Sequence, residues 1–234
     1  MMLRVRGLDA FYGRSQILFG INIELARGDA LALMGRNGAG KSTTLKCLMG
    51  LVPPDATEMS LGGHDLRRMD AFRINRLGVG YVPEERRIFT DLSVMENLET
   101  GRRSPPSGEQ AWTTERLFEL FPNLAEIKDR RAGHISGGEQ QMLTIARTLM
   151  GNPTLVLLDE PSEGLAPIII DQLVDVVAEL KAQGLTILVS EQNLRFAKQI
   201  ADSVAVIETG RIHWNGAMGD FAENTELHSK YLAA

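Results

Sequence analysis

Residues Gly35 to Ser42 have the types and spacing needed to bind phosphate groups. Glycine stands at three positions of this segment, and residues without a side chain let several backbone N–H groups turn toward one anion. Lys41 would reach the β- and γ-phosphates of a nucleotide, and the Ser42 hydroxyl would ligate Mg²⁺. The alternative is a glycine-rich turn, but the apolar run before the segment favours a ligand-binding loop. The predicted ATP- and Mg²⁺-binding loop consists of Gly35, Arg36, Asn37, Gly38, Ala39, Gly40, Lys41, Ser42 and Thr43.

Asp159 and Glu160 form a pair of adjacent carboxylates at the end of a second apolar run, Leu155 to Leu158. Open α/β sheets place their ligands at the carboxyl ends of strands. Because neighbouring residues of a strand point to opposite faces, the two groups could have different tasks. We expect Asp159 to hold the Mg²⁺ shell and Glu160 to polarise the water that attacks the phosphate. The alternative is an acidic turn before Pro161.

The apolar runs that precede these motifs predict the strands of one sheet. There are three such runs: Ala30 to Met34, Leu155 to Leu158, and Thr186 to Val189. Lys41 to Met49 has the character of a helix that ends at a glycine, and Ile168 to Gln183 carries apolar residues on one helical face. Strand, helix and strand with short links indicate a parallel sheet covered by helices.

Two further segments complete the predicted organisation. Leu3 to Leu25 alternates apolar and polar residues, as is typical of half-buried strands. Thr113 to Met150 is helical in character and contains no convincing strand. We interpret it as a helical lobe inserted into an α/β core.

The composition excludes several classes of protein. The chain has 234 residues, 44% of them hydrophobic and 24% charged, which is enough apolar material for a packed core. Its net charge of −5 argues against nucleic-acid binding, which depends largely on neutralising phosphates. A single cysteine allows no intramolecular disulfide. There is neither a run of about 18 apolar residues nor an apolar segment near the N-terminus, so we predict a cytosolic location.

A third motif carries a resemblance to a known family. Ile135 to Gln141 reads Ile-Ser-Gly-Gly-Glu-Gln-Gln, which resembles the signature sequence of ABC-type ATPases, usually written L-S-G-G-Q. With the phosphate loop and the carboxylate pair, in the family's order, the resemblance covers nearly the whole chain. It implies an α/β P-loop NTPase (RecA-like) core, 1–85 and 154–234, with an N-terminal antiparallel β subdomain. The segment 86–153 would form the inserted α-helical subdomain.

The resemblance also implies a second half of the nucleotide site. Ser136, Gly137 and Gly138, at the start of a helix, would form another phosphate cradle. In the family this cradle contacts the ATP that the other protomer holds, so a working site implies a head-to-tail dimer with a second ATPase chain, identical or homologous. Tyr12 resembles the aromatic residue that stacks on adenine in this family. The alternative for Tyr12 is an ordinary apolar strand residue.

Several positions depart from the general family pattern. Glu84 stands at the family's glutamine loop, where the residue would contact the nucleotide and Mg²⁺, and Gln192 stands where a switch histidine is usual. Ala166 and Thr57 are further departures. Taken alone, these changes would suggest a weakened ATPase.

The same departures resemble one subgroup, the LivF-type ATPases of branched-chain amino-acid importers. The segments that carry this likeness are Val82 to Phe89, Glu96 to Leu98, Ser162 to Pro167 and Ser190 to Asn193. In that group Gln192 would be the native switch residue. Its amide can hydrogen-bond the γ-phosphate and the attacking water, but it cannot titrate near neutrality as histidine does.

The subgroup implies a place in a larger machine. The ATPase would lie as a peripheral protein at the cytoplasmic face of the cell (inner) membrane. ATP binding would close two cassettes and hydrolysis would reopen them, which would move two transmembrane permease subunits. An extracytoplasmic binding protein would deliver the cargo. The alternatives are the same machine for urea, another amide or another amino acid, or a lipid-exporting ATPase. A non-transport ABC ATPase is a third alternative, but it would carry long coiled coils or two cassettes.

Overall fold

The computed structural model describes residues 1–105 and 111–231. Five residues of the predicted helical lobe, 106–110, and the last three of the predicted core, 232–234, lie outside this part of the chain. The described strands, in chain order, are β1 Leu3–Tyr12, β2 Ser15–Leu25, β3 Ala30–Met34, β4 Pro54–Asp55, β5 Glu58–Leu61, β6 His64–Asp65, β7 Val79–Val82, β8 Leu155–Asp159, β9 Thr186–Glu191, β10 Ser203–Glu208 and β11 Arg211–Ala217.

The helices fill the intervals between these strands and follow the last one. They are α1 Lys41–Leu48, α2 Ala71–Arg76, α3 Val94–Gly101, α4 Thr114–Leu120, α5 Pro122–Glu126, α6 Gly137–Leu149, α7 Pro167–Ala182, α8 Leu194–Ile200, α9 Met218–Glu223 and α10 Thr225–Tyr231. A short 3₁₀ helix, Ala132–His134, precedes α6. No helix in the described residues is both long and apolar enough to cross a membrane.

The larger sheet has six strands in the order β11-β10-β3-β9-β8-β7. All neighbours are parallel except β10 and β11. Every residue of β3, β8 and β9 is buried, because apolar material covers both faces of a parallel sheet. The predicted parallel sheet is confirmed, and β9 extends two residues beyond the predicted run to include Ser190 and Glu191.

Alternate residues of β3 enter two separate hydrophobic cores. Ala30, Ala32 and Met34 lie in the core that contains the helices α6 and α7. Leu31 and Leu33 lie in the other core, with α1 and the smaller sheet. The strand that leads to the phosphate loop is therefore held from both faces.

The smaller sheet is antiparallel, with the order β2-β1-β5-β6 and β4 paired with β1. The alternation predicted from Leu3 to Leu25 is confirmed as β1 and β2, joined through Gly13 at φ 62°. Between β7 and β8 the described residues form helices and one isolated bridge, Ser93 with Arg131. The start of α6 therefore belongs to this helical segment and to neither sheet.

Candidate nucleotide-binding site

The phosphate loop connects β3 to α1 at the carboxyl end of the larger sheet. Its backbone is left-handed at Gly38, with φ 80°, and at Gly40, with φ 110°, a region that favours glycine. A Cβ on Gly35 would lie 2.3 Å from the carbonyl oxygen of Ile207, so the loop also needs glycine where β10 passes. Gly40 caps α1 without a side-chain hydrogen bond, which leaves the first N–H groups of the helix for an anion.

Lys41 is the first residue of α1, and only 3% of its surface is exposed. Its Nζ donates to the carbonyl oxygens of Gly35 at 2.7 Å and Arg36 at 3.1 Å. The same ammonium lies 3.0 Å from Oε1 of Glu160. A buried cation needs such partners. A phosphate bound in the loop would replace these oxygens as the partner of the Lys41 ammonium.

Asp159, 1% exposed, is the acceptor for three hydroxyl groups. Its Oδ1 accepts from Ser42 Oγ at 2.9 Å and from Ser190 Oγ at 2.7 Å, and its Oδ2 accepts from the Tyr81 hydroxyl at 2.9 Å. Burial, with Asp159 adding to it, raises the pKa of Tyr81 well above its usual range, so Tyr81 remains a donor. The predicted neighbours Ser42 and Asp159 therefore meet.

Glu160 reaches the phosphate loop through an unusual backbone conformation. Its φ is 46°, in the left-handed region, and its N–H donates to the carbonyl and the hydroxyl of Ser190, both at 3.1 Å. The expectation that strand alternation separates the two carboxylates is wrong, because β8 ends at Asp159 and Glu160 turns back. Both side chains contact the start of α1, at Ser42 and Lys41.

The protonation of Glu160 is set by two opposing effects. Burial raises the pKa of its carboxyl group, and the Lys41 ammonium acts in the opposite direction. A base next to a phosphate gains from a raised pKa, because it then accepts a proton more readily at neutral pH.

Glu84 lies in the exposed loop after β7. Partial burial, followed by the charges of Glu163, Glu160 and Asp159, raises the pKa of its carboxyl group. The carboxylate pair thus acts electrostatically on Glu84, as expected for a residue of the same site. A cation placed among these groups would remove the repulsion.

Gln192 and Tyr12 occupy the margins of the site. Gln192 is half-buried directly after β9, and its backbone N–H donates to Oε2 of Glu191 at 3.0 Å. Tyr12 is the last residue of β1 and is 50% exposed, so its ring face is accessible to a planar ligand. The described contacts do not bring either side chain to the phosphate loop.

The signature segment forms the N-terminus of α6. Ser136 is exposed and forms a capping box with Glu139: its N–H donates to Oε2 of Glu139 at 2.6 Å, and its Oγ accepts from the N–H of Glu139 at 3.3 Å. A Cβ on Gly137 would lie 2.7 Å from the Arg86 guanidinium, and one on Gly138 would lie 3.0 Å from Ile169. Within the described part of the chain, no hydrogen bond or ion pair joins this segment to the phosphate loop.

Sequence reasoning missed three residues of the site, Tyr81, Ser190 and Glu191. Tyr81 and Ser190 hold Asp159, and Ser190 also accepts from Glu160. Glu191 is 2% exposed, and its carboxylate accepts from backbone groups of two loops. For Ser190 and Glu191 the available signal was the position of a polar residue at the end of an apolar strand run, whereas Tyr81 lies inside β7 and gave no such signal.

The groups at the loop fit a nucleoside triphosphate with Mg²⁺. Uncapped N–H groups and a buried lysine suit phosphate oxygens. A serine hydroxyl next to one aspartate suits Mg²⁺, which prefers oxygen ligands and completes its shell from phosphates and water. The donor set therefore matches the ligand predicted from the motif.

Comparisons with known proteins give the same answer for the whole chain. Residues 18–163 match the family described as ABC transporter. The high-affinity branched-chain amino acid transport ATP-binding protein BraG of Pseudomonas aeruginosa is 39% identical over 231 residues, with 99% of each chain covered. The probable branched-chain amino acid transport ATP-binding protein LivF of Archaeoglobus fulgidus is 33% identical, covering 97% of this chain and 96% of that protein. A solved nucleotide-free ATP-binding cassette from an ABC transporter has a TM-score of 0.84 at 26% identity, covering 98% of this chain and 96% of that one.

Proposed function

We propose that this chain, which belongs to the ABC transporter family and is one of its ATP-hydrolysing subunits, powers the import of branched-chain amino acids. One observation carries the chemistry: Lys41 lies 3.0 Å from Glu160, and Ser42 lies 2.9 Å from Asp159. The phosphate-binding and acidic groups therefore share one site. The cargo is inferred from two relatives whose names specify branched-chain amino acid transport.

The proposed roles divide the site into binding and hydrolysis. The loop from Gly35 to Thr43 binds the phosphates, with Lys41 as the charged partner, and Tyr12 stacks on the adenine. Ser42, Asp159 and Glu84 hold Mg²⁺, which when bound neutralises phosphate charge during transfer. Partial burial and, after it, the charges of neighbouring carboxylates raise the pKa of Glu84; a cation would offset this repulsion, which supports the role.

Hydrolysis is assigned to Glu160, Gln192 and Lys41, with Lys41 reaching the γ-phosphate. Phosphate binding draws the Lys41 ammonium away from the Glu160 carboxylate, which is then available to accept a hydrogen bond from water. Glu160 orients this water and takes up its proton as the water oxygen bonds to the γ-phosphorus, while the bond from that phosphorus to the β,γ-bridging oxygen breaks and ADP leaves. Gln192 donates its amide N–H to the γ-phosphate and holds the water through its carbonyl oxygen. Gln192 keeps the same charge at every neutral pH.

Dimerisation supplies the other half of the site. Ser136, Gly137 and Gly138 lie at the exposed end of α6, away from the chain's own phosphate loop. In a head-to-tail pair they would face the nucleotide of a second ATPase chain, identical or homologous. The remaining proposed partners are two transmembrane permease subunits, which hold this chain as a peripheral protein at the cytoplasmic face of the membrane, and an extracytoplasmic substrate-binding protein.

The proposed division of the chain follows from the same arrangement. Segments 1–85 and 154–234 form the core, and 86–153 form the helical subdomain that carries the signature segment. The helices from α3 to α6 support these boundaries, since described residues 83–154 hold no strand beyond an isolated bridge.

Uptake measurements test the cargo. Deletion of the gene should abolish high-affinity uptake of radiolabelled leucine and leave arginine and urea uptake unchanged. The wild-type gene should restore uptake, and a Glu160→Gln gene should not. Normal leucine uptake with loss of arginine or urea uptake would reassign the cargo. Unchanged uptake of all three would contradict the proposed importer.

A further inference from the structure

Glu191 is a buried carboxylate to which the mechanism above assigns no task. It is the last residue of β9, which lies between the strand of the phosphate loop and the strand of the carboxylate pair. Glu191 pairs with Met34 in the parallel register, and its carbonyl oxygen accepts from the N–H of Gly35 at 3.3 Å. Its backbone thus touches the first residue of the phosphate loop.

The side chain of Glu191 joins two other loops. Oε1 accepts from the N–H of Ser162 at 3.1 Å, and Oε2 accepts from the N–H groups of Gln192 and Asn193, both at 3.0 Å. Ser162 opens the loop after Glu160, and Gln192 carries the proposed switch amide. No ion pair in the described residues includes Glu191. Burial raises the pKa of its carboxyl group, and the three backbone N–H groups together with the Ser162 side chain act against this by stabilising its charge.

Only a carboxylate of this length satisfies all three donors. An ionised carboxyl group accepts through both oxygens and donates nothing. A glutamine in its place would turn an NH₂ group toward at least one backbone N–H, and an aspartate would withdraw the oxygens by one methylene. Glu191 therefore ties the backbone of Gln192 to that of Ser162 through a single carboxylate.

We propose that Glu191 is a positioning residue for the hydrolysis step, one that fixes the backbone of Gln192 relative to the loop that follows Glu160. This inference rests on the proposed roles of Glu160 and Gln192. Glu160 itself is anchored to Ser190, the residue before Glu191, so the end of β9 holds both groups that act on the attacking water. A shift of about 1 Å between them costs on the order of 100-fold in rate.

The test is a double-mutant cycle on purified chain, with steady-state turnover, ATP affinity and thermal unfolding measured for each variant. Glu191→Gln should lower kcat about 100-fold and leave ATP affinity within about twofold, since it misplaces the switch and not the phosphate loop. Gln192→Ala should lower kcat by a similar factor. The double variant should be no slower than the slower single variant, because Glu191 acts through Gln192. Glu223→Gln, which removes an exposed carboxylate on α9, is the control and should behave as wild type.

The outcomes separate the inference from the proposed function. Losses that multiply in the double variant, or a kcat for Glu191→Gln equal to wild type, would overturn the positioning role. If Glu191→Gln does not fold, Glu191→Asp enters the same cycle with the same criterion. Glu160→Gln runs in parallel: if it abolishes turnover while Glu191→Gln does not, only the positioning role fails. If Glu160→Gln turns over normally, the proposed hydrolytic site itself is wrong.

Discussion

The phosphate loop and the signature segment both end at the start of a helix, yet the two helix starts differ. At the phosphate loop, Gly40 caps α1 without a side chain, and Lys41 is buried. At the signature segment, Ser136 is exposed, and its N–H and hydroxyl are already bonded to Glu139. The first is arranged to bind phosphate within one chain. The second satisfies its own cap, and its proposed ligand is the nucleotide held by a second chain.

This difference predicts that ATP binding and ATP hydrolysis respond differently to mutation. Changes at the phosphate loop should weaken ATP binding by the isolated chain. Changes at the signature segment should leave that binding intact and remove the step that needs a second chain.

The largest effect is expected at the proposed base. Glu160→Gln should keep ATP binding and lower kcat about 10³-fold, because general-base catalysis contributes about 10²–10⁴-fold. With ATP and Mg²⁺ the variant should accumulate as a dimer in size-exclusion chromatography. Glu163→Gln removes an exposed carboxylate three positions away and should remain active. Unchanged turnover in Glu160→Gln would remove Glu160 from the role of base.

The next effect separates the two half-sites directly. Lys41→Ala should weaken ATP binding about 100-fold, since hydrogen bonds to charged groups contribute about 1.5–3 kcal/mol each. Lys46→Ala, on the same helix, should not. Ser136→Arg should bind ATP and fail to hydrolyse it. An equal mixture of the Lys41→Ala and Ser136→Arg chains should regain about a quarter of wild-type turnover, because half of the dimers then contain one intact composite site. A mixture as inactive as its parts would contradict the head-to-tail arrangement.

A smaller effect is expected at the adenine end. Tyr12→Ala should weaken ATP affinity about tenfold, since stacking of a base on an aromatic side chain contributes about 1–3 kcal/mol. Tyr12→Phe should retain affinity, because the ring alone is needed. Phe11→Ala is the matched control, as Phe11 is the adjacent exposed aromatic residue. Equal affinity for ATP and inorganic triphosphate in the wild type would also argue against stacking.

The pH profile tests Gln192. Between pH 6 and 8 wild-type hydrolysis should show no dependence assignable to this position, since an amide does not titrate. Gln192→His should introduce one, with the ratio of variant to wild-type kcat changing near pH 6.5, where histidine changes its charge. At lower pH both enzymes should lose activity as Glu160 protonates, because a base acts only in its ionised form. Identical profiles would contradict the assigned role.

The smallest effect compares two capping boxes of the same chain. Ser93 and Glu96 cap α3 as Ser136 and Glu139 cap α6. Ser93→Ala and Ser136→Ala should each cost about 1 kcal/mol of unfolding free energy, measured in urea. Only Ser136→Ala should also reduce ATP-dependent dimerisation. Equal dimerisation in both variants would show that the signature serine has a purely structural task.

The elements next to the motifs could be predicted from sequence because the strands are uninterrupted apolar runs, fully buried, and α7 carries its buried residues on one face. β3, β8 and α7 lie within about one residue of their predicted bounds, as expected for strong patterns. The contacts of the phosphate loop with Asp159 and Glu160 also follow from recognised motifs. Neither β10 nor β11 was predicted as a strand, although β11 alternates between exposed and half-buried residues.

The fine geometry of the site could not be predicted in the same way. Nothing in the local sequence signals that Glu160 adopts a left-handed backbone, since its conformation is imposed by Ser190 of another strand. Tyr81 reads as one more residue of an apolar strand, and its partner Asp159 is 78 positions away. A glutamate at a strand end is usually solvated, yet Glu191 is only 2% exposed and bonds to backbone groups of two loops.

The order of strands in the larger sheet bears on how the chain is synthesised. β3 forms its hydrogen bonds with β9 and β10, and the N–H of Ala30 donates to Asp202, 172 positions later. A nascent chain leaves the ribosome N-terminus first, so the complete phosphate-loop motif appears long before the strands that support it. The growing chain should therefore bind no ATP until β10 has emerged. A product that terminates earlier would carry the full motif on a bare strand edge, which favours aggregation over catalysis.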